Sequence, residues 1–161
     1  MPTSLTPMLL MEPNELIADM TAFRLEMLGY QVSCATSAQA AATHLSSCAP
    51  PELILIDSSL LIDDQGAATT FLTELRSDVR LREIPVIVLH HDGASLPVIR
   101  DQIAAKDEVV ALPYDPAELK TKVARLVQRP VPVHGSSDRE HRLPLTGSSV
   151  NAASVCTPQN A

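Results

Sequence analysis

Residues 51–61 read PELILIDSSLL, and this stretch decides the fold. Prolines at positions 50 and 51 interrupt any preceding helix, and Leu53–Ile56 follows as an unbroken run of large aliphatic residues. Such a run is typical of a strand buried on both faces, as in a parallel sheet that helices cover from both sides. The run ends at a carboxylate, Asp57, which is therefore predicted to lie at the carboxyl end of a central strand.

Four further segments, on either side of this stretch, have the pattern of strands. They are Met8–Met11, Tyr30–Cys34, Ile84–Leu89 and Glu108–Leu112. Helical spacing of apolar residues separates them, and Asp115-Pro116-Ala117-Glu118 is a strong helix start after the last strand. Five strands alternating with five helices predict an α/β fold: a doubly wound parallel sheet with helices on both faces.

The first helix is predicted from its cap and its spacing. Asn14 can cap the amino end, and Gly29 ends the segment. Between them, apolar residues recur at the spacing of one helix face: Leu16, Met20, Phe23 and Met27. After the third strand, a loop containing Asp63, Asp64 and Gly66 is expected to lead to the next helix.

Composition narrows the classes of function. The 161 residues include 12 Lys and Arg against 19 Asp and Glu, a formal charge of −7, with two Tyr, two Phe and no Trp. An acidic chain poor in aromatic residues is unsuited to binding nucleic acid. The amino-terminal sequence has neither the basic region nor the apolar run of a signal peptide, and no stretch is long enough to span a membrane. We therefore expect a cytoplasmic protein with no membrane association.

The domain organisation follows from the same patterns. Residues 1–6 are predicted to be a short extension, and residues 7–129 to form the α/β domain. Residues 130–161 are rich in Pro, Ser and Thr and show no sustained periodicity, so they are predicted to be a disordered tail.

Chemistry is expected where the strands end, because ligands of such sheets bind in the crevice beyond the carboxyl ends of the strands. The side chains predicted there are Glu12, Asp57, the pair His90 and His91, and Leu112. Over residues 7–128 the chain resembles the receiver domains of two-component response regulators. The resemblance rests on MLLMEPN, PELILIDSSLL, IPVIVLHHDG and VVALPYDPAEL, which stand in the family's order and spacing. It implies the strand order 2-1-3-4-5 and a role in phosphorelay signalling.

The resemblance also implies roles for individual positions. Asp57 falls on the phospho-acceptor position and Glu12 on the first of two acidic positions that hold Mg²⁺, but Pro13 stands at the second. Proline offers no side-chain oxygen to a cation that needs near-octahedral oxygen ligands. Any Mg²⁺ binding by Glu12 and Asp57 is therefore expected to be weak, and no cofactor is expected to be required.

Three switch or phosphoryl-contact positions are substituted. His90 stands at the Thr or Ser position, Leu112 at the Lys position and Val109 at the aromatic position. Phosphoryl transfer depends on positioning the reacting groups and on neutralising charge on the phosphoryl oxygens. Leu112 in place of the lysine removes a cation that would neutralise this charge. The site is expected to be a degenerate one.

Neighbouring residues of a strand face opposite ways, so either His90 or His91 can face Asp57. The family pattern favours His90, whose imidazole would partly replace the missing lysine. Two interpretations of that histidine stay open: one ligand of a metal or proton site with Glu12 and Asp57, or a simple hydrogen-bond partner of Asp57.

The predicted function is a stand-alone pseudo-receiver that binds a signalling partner, either a histidine kinase or a downstream effector, and is not an enzyme. Its partner face, which in the family also serves dimerisation, would include the basic residues of the last helix, Lys120, Lys122 and Arg125. Two rivals remain: a conventional regulator phosphorylated on Asp57, and a flavodoxin-like cofactor binder. The second requires a phosphate-binding loop after the first strand, and Glu12-Pro13-Asn14 does not supply one.

Overall fold

Five parallel strands form one sheet in the order β2-β1-β3-β4-β5, as predicted. The computed structural model describes residues 5–63 and 66–127. Its strands are β1 (Thr6–Met11), β2 (Tyr30–Ala35), β3 (Leu53–Asp57), β4 (Val86–His90) and β5 (Glu108–Ala111). Its α-helices are α1 (Glu15–Met27), α2 (Ala38–Ser47), α3 (Ser58–Asp63), α4 (Ala67–Ser77), α5 (Leu96–Gln102) and α6 (Pro116–Val127). A 3-10 turn, Gly93–Ser95, leads into α5.

Several boundaries differ from the sequence prediction: β4 runs from Val86 to His90 where Ile84–Leu89 was predicted, and β5 ends at Ala111 where Leu112 was predicted. β1 begins at Thr6, which pairs with Tyr30, so the sheet takes in the last residue of the predicted extension. Helix α3 follows β3 directly, where a loop was expected to begin. The predicted tail, residues 130–161, lies outside the described residues. Within the described part, no helix has the length and apolar character needed to cross a membrane.

Alternation along the strands divides the interior into two cores. Ile54 and Ile56 face one side of the sheet, where they pack with residues of α2 and α4. Leu53 and Leu55 face the other, where they pack with Leu25 of α1 and with α6. All five residues of β3 are buried, as expected for the central strand of a sheet covered on both faces.

Helix α1 does not bury the residues whose spacing predicts it. Its buried residues are Ala18 and Leu25, whereas Leu16, Met20, Phe23 and Met27 are all at least half exposed. The helix carries apolar residues on two faces, and periodicity marks a helix without showing which face meets the sheet. Small residues at positions 18 and 22 allow the helix to approach the sheet closely, so this narrower face is the buried one.

A buried ion pair fixes the amino edge of the sheet. Nη2 of Arg76 lies 2.6 and 2.7 Å from the two carboxylate oxygens of Asp107. The Asp107 side chain is 1% exposed and also accepts the backbone N–H of Val86 at 3.0 Å and that of Ala104 at 2.8 Å. This carboxylate therefore joins α4 to the starts of β4 and β5, opposite the edge where chemistry is expected.

Candidate functional site

The carboxyl edge of the sheet gathers four buried polar residues. Met11 pairs with Ile56, so Glu12 and Asp57 leave neighbouring strands side by side. Among the described residues, those that are buried as whole residues and carry a polar or charged side chain are Glu12, Asp57, Ser58 and His90. The crevice predicted from the strand ends is thus formed, with Asp57 at its centre.

Both carboxylate oxygens of Asp57 have partners. Oδ1 accepts the backbone N–H of Ser59 at 2.9 Å and its hydroxyl at 2.5 Å. A side chain that accepts the N–H two residues later at the start of a helix is an N-cap, so Asp57 caps α3. Oδ2 lies 2.9 Å from Nε2 of His91. The sequence gives a signal for the first contact, since Asp-Ser-Ser is a favourable helix start.

The expectation that His90 faces Asp57 is wrong, and His91 makes that contact. Leu55 pairs with Ile87, and both belong to the core on the α1 side. Asp57 lies two residues beyond Leu55, and His91 lies two residues beyond Leu89, the register partner of Asp57. Alternation therefore places Asp57 and His91 on the same face.

His90 points to the other face, where it is buried. Within the described part of the chain its Nδ1 has no hydrogen-bond partner. The register of β4 against β3 therefore decides which histidine faces Asp57, and the match to the family pattern assigned this role to the wrong one. The His91 side chain, by contrast, is 59% exposed and covers Asp57 from the solvent side.

Glu12 is held by the chain that follows it. Its Oε1 accepts the N–H of Asn14 at 2.9 Å, while Asn14 Oδ1 accepts the N–H of Ile17 and so caps α1. Burial raises the pKa of the Glu12 carboxyl above its ordinary value of 4.5. The Asn14 N–H opposes this shift in pKa, the neighbouring Asp57 carboxylate adds to it, and His91 lowers it slightly. Glu12 thus holds its proton more tightly than an exposed glutamate.

The other substituted positions serve the hydrophobic cores. Leu112 donates its backbone N–H to the carbonyl of His90 at 2.8 Å, and its half-buried side chain packs against the core on the α1 side. Val109 pairs with Val88 and packs against the opposite core. Tyr114 also packs against the core on the α1 side, and its hydroxyl is buried without a partner among the described residues. Neither Leu112 nor Val109 brings a charge or a hydroxyl to the crevice.

The basic residues of α6 differ in how far they are engaged. Nζ of Lys122 donates to the carbonyl of Val109 at 3.0 Å and lies 3.1 Å from Glu118. Arg125 forms an ion pair with Glu108, the first residue of β5. Lys120 is exposed and forms no ion pair with the described residues.

The described residues at this edge offer few donors to a cation. No group of three His, Cys, Asp or Glu side chains capable of holding a metal occurs in the described ranges. Of the two carboxylates named in the sequence analysis, Asp57 already has both oxygens engaged, and Glu12 has a raised pKa. Pro13 adds no side-chain oxygen. An octahedral Mg²⁺ site at this edge would need oxygen ligands in addition to these residues.

The sheet order, the helices on both faces and the acceptor-like aspartate define the fold of response-regulator receiver domains. No protein-family model matches the chain. Its sequence is homologous to two transcriptional regulators. It is 29% identical over 126 residues to the phosphate regulon regulatory protein PhoB of Escherichia coli, covering 78% of this chain and 53% of PhoB. It is 31% identical over 124 residues to the regulator RpaA of Synechocystis, covering 75% and 48%. The chain thus spans about half the length of these relatives.

Solved structures agree on the fold. The signal receiver domain of a histidine kinase from Syntrophus aciditrophicus superposes with a TM-score of 0.65 at 23% identity, covering 82% of this chain and 99% of that one. The receiver domain of the sensor histidine kinase PA1611 from Pseudomonas aeruginosa gives 0.64 at 22%, covering 78% and 100%. That structure has a magnesium ion coordinated in its active-site cleft. The chain here therefore has the fold of receiver domains, and its sequence is similar to those of the two transcriptional regulators.

Proposed function

We propose that this chain is a pseudo-receiver: a two-component signalling module that binds a partner protein and does not take up phosphoryl groups efficiently on Asp57. The observation that carries the proposal is the engagement of both Asp57 oxygens. Oδ1 caps α3 and Oδ2 is bonded to His91, so the acceptor carboxylate already has structural partners.

The surroundings of Asp57 support the same conclusion. Transfer of a phosphoryl group requires fixed positive charge against its oxygens, from a metal ion and from side chains. Leu112 supplies no cation, and Pro13 supplies no metal ligand. Among the described residues, the imidazole of His91 is the one basic side chain that contacts Asp57, and it is largely exposed to solvent. We therefore propose that the domain acts without Mg²⁺ and catalyses no reaction of its own.

The proposed partner is a histidine kinase or a downstream effector, bound at the α6 face that carries Lys120, Lys122 and Arg125. Glu118 and Glu108 partly neutralise the last two, which leaves Lys120 as the cation best placed to meet an acidic partner. A second candidate function, conventional phosphorylation, is favoured by the position of Asp57 beside Glu12 at the carboxyl edge.

The deciding experiment treats the full chain with acetyl phosphate and Mg²⁺ and measures phosphoryl incorporation by intact-mass spectrometry. We expect little incorporation in the wild type and a clear gain in the double variant Pro13→Asp, Leu112→Lys. Adding Asp57→Asn to that double variant keeps the cap on α3 and should abolish the gain. Rapid, near-stoichiometric incorporation on Asp57 in the wild type would overturn the proposal in favour of the conventional regulator.

A further inference from the structure

Exposed apolar surface is concentrated on helix α1. Of the described residues, nine large hydrophobic side chains are exposed, and five of them lie on this one helix. They are Leu16 (69% exposed), Ile17 (45%), Met20 (50%), Phe23 (63%) and Met27 (73%). Single exposed hydrophobic residues are normally scattered over a protein surface. A continuous apolar stripe along one helix instead marks an interaction surface.

The stripe has the spacing of a coiled-coil seam. Leu16, Met20, Phe23 and Met27 are separated by steps of four, three and four residues, which makes Leu16 and Phe23 d positions and Met20 and Met27 a positions of a heptad repeat. At 3.6 residues per turn these four lie within about 60° of one another around the helix. Ala18 and Leu25 are both f positions on the opposite side, where they are buried against the sheet.

Charges flank the two sides of this seam differently. Asp19 and Glu26 occupy g positions on one side, and Arg24 occupies an e position on the other. All three are exposed, and none forms an ion pair with another described residue. The acidic flank is therefore free to meet a basic flank of the same kind of helix.

We propose that the α1 seam is a homodimer interface in which α1 packs parallel to α1 of a second copy of this chain. In a parallel pair each g position faces the e position of the next heptad of the partner helix, so Asp19 meets Arg24 twice across the two-fold axis. An antiparallel pair would instead set Asp19 against Glu26 on one flank, and like charges there oppose it. Charge complementarity thus selects both the occupant and its direction.

A helix of 13 residues is long enough because the domain already orders it. An isolated peptide of this length would lose most of its pairing energy to helix formation. Here the packing of Ala18 and Leu25 fixes the helix before association, which reduces the cost of binding. A seam about 20 Å long buries less surface than a standard interface, so the dimer is expected to be weak and reversible. The interface does not depend on whether Asp57 accepts phosphoryl groups.

Sedimentation equilibrium of the full chain over a wide concentration range tests the interface. We expect a monomer–dimer equilibrium in the wild type and a dissociation constant raised at least tenfold in Phe23→Glu. Val98→Glu is the matched control, since Val98 is likewise an exposed apolar residue (52%) but lies on α5. This variant should leave the dissociation constant unchanged. Equal thermal unfolding midpoints would show that the variants fold.

Charge reversal tests the direction. Asp19→Arg and Arg24→Asp should each weaken the dimer, and the two together should restore it. In an antiparallel dimer Asp19→Arg would instead strengthen association, which would overturn the parallel arrangement. A wild type that stays monomeric at all concentrations, or a dimer that Phe23→Glu leaves intact, would overturn the interface itself. So would a wild-type monomer whose α1 stripe binds a different protein.

Discussion

Leu89 is the register partner of Asp57, and the hydrogen bond that Asp57 accepts from His91 follows from that pairing. Paired residues of neighbouring parallel strands face the same side of the sheet, as Leu55 and Ile87 do in the core. His91 lies two residues beyond Leu89, so its side chain is on the same face as that of Asp57 and contacts the Oδ2 atom of Asp57. The two histidines thus have different surroundings despite being adjacent in the chain.

This difference gives a spectroscopic prediction. At fixed pH, Asp57→Asn should shift the side-chain ¹⁵N resonances of His91 strongly and those of His90 little, because Nε2 of His91 is bonded to the Asp57 carboxylate. Long-range ¹H–¹⁵N spectra, assigned with His90→Gln and His91→Gln, provide the measurement. A larger shift at His90 would show that the register at this end of β4 is wrong.

A second prediction concerns the pH dependence of stability. The pKa of Glu12 is raised, mainly by burial, so the folded state binds this proton more tightly than the unfolded chain does. Glu12 therefore makes the wild type less stable as pH rises from 4.5 towards the folded pKa, and the loss persists above it. In Glu12→Gln this loss should be absent, so its unfolding free energy relative to the wild type should rise with pH across that window. Urea denaturation at a series of pH values measures it.

The Asp57 carboxylate is one cause of the raised pKa of Glu12. Repeating the comparison in an Asp57→Asn background should therefore reduce the rise. A difference between Glu12→Gln and the wild type that stays constant with pH would contradict a shifted pKa for Glu12.

The third prediction contrasts a buried ion pair with an exposed one. Arg76→Met leaves the carboxylate of Asp107, whose side chain is 1% exposed, without its cation, and should cost about 3 kcal/mol or more of unfolding free energy. Arg80→Met removes a pair with Asp78 in which the arginine side chain is 75% exposed, and its loss of unfolding free energy should be much smaller. Denaturant unfolding of both variants checks the contrast, and equal losses would mean that Asp107 finds compensation elsewhere.

The fourth prediction concerns the turn after α1. Gly29 has a φ of +94°, and a side chain added there would meet no atom within 4 Å, so the cost of Gly29→Ala is purely conformational. We expect a loss of about 1–2 kcal/mol. At Gly93 there is equal space and no positive φ, so Gly93→Ala should change stability by less than about 0.5 kcal/mol. Thermal unfolding of the two variants side by side measures the difference.

The strands were predictable because burial on both faces leaves continuous apolar runs, and Leu53–Ile56 is such a run. The gathering of Glu12 and Asp57 was also predictable, since parallel strands end at one edge. The buried face of α1 was not predictable. Leu16 and Leu25 are equally apolar, and only the shape of the sheet surface decides which of them is buried. The choice between His90 and His91 required the register of β4 against β3, which no local pattern encodes.

The segment Glu12-Pro13-Asn14 gives the crevice a rigid connection to the helix stripe. Proline fixes its own backbone angle φ, and the residues on either side of it are held by hydrogen bonds: Glu12, beside Asp57, accepts the N–H of Asn14, and Asn14 caps the first turn of α1. Pro13 thus lacks the side-chain oxygen of a metal ligand and restricts the backbone angle φ at the same position. The polar site beside Asp57 and the amino end of α1 are therefore joined by three consecutive residues, in a connection that involves neither β4 nor β5.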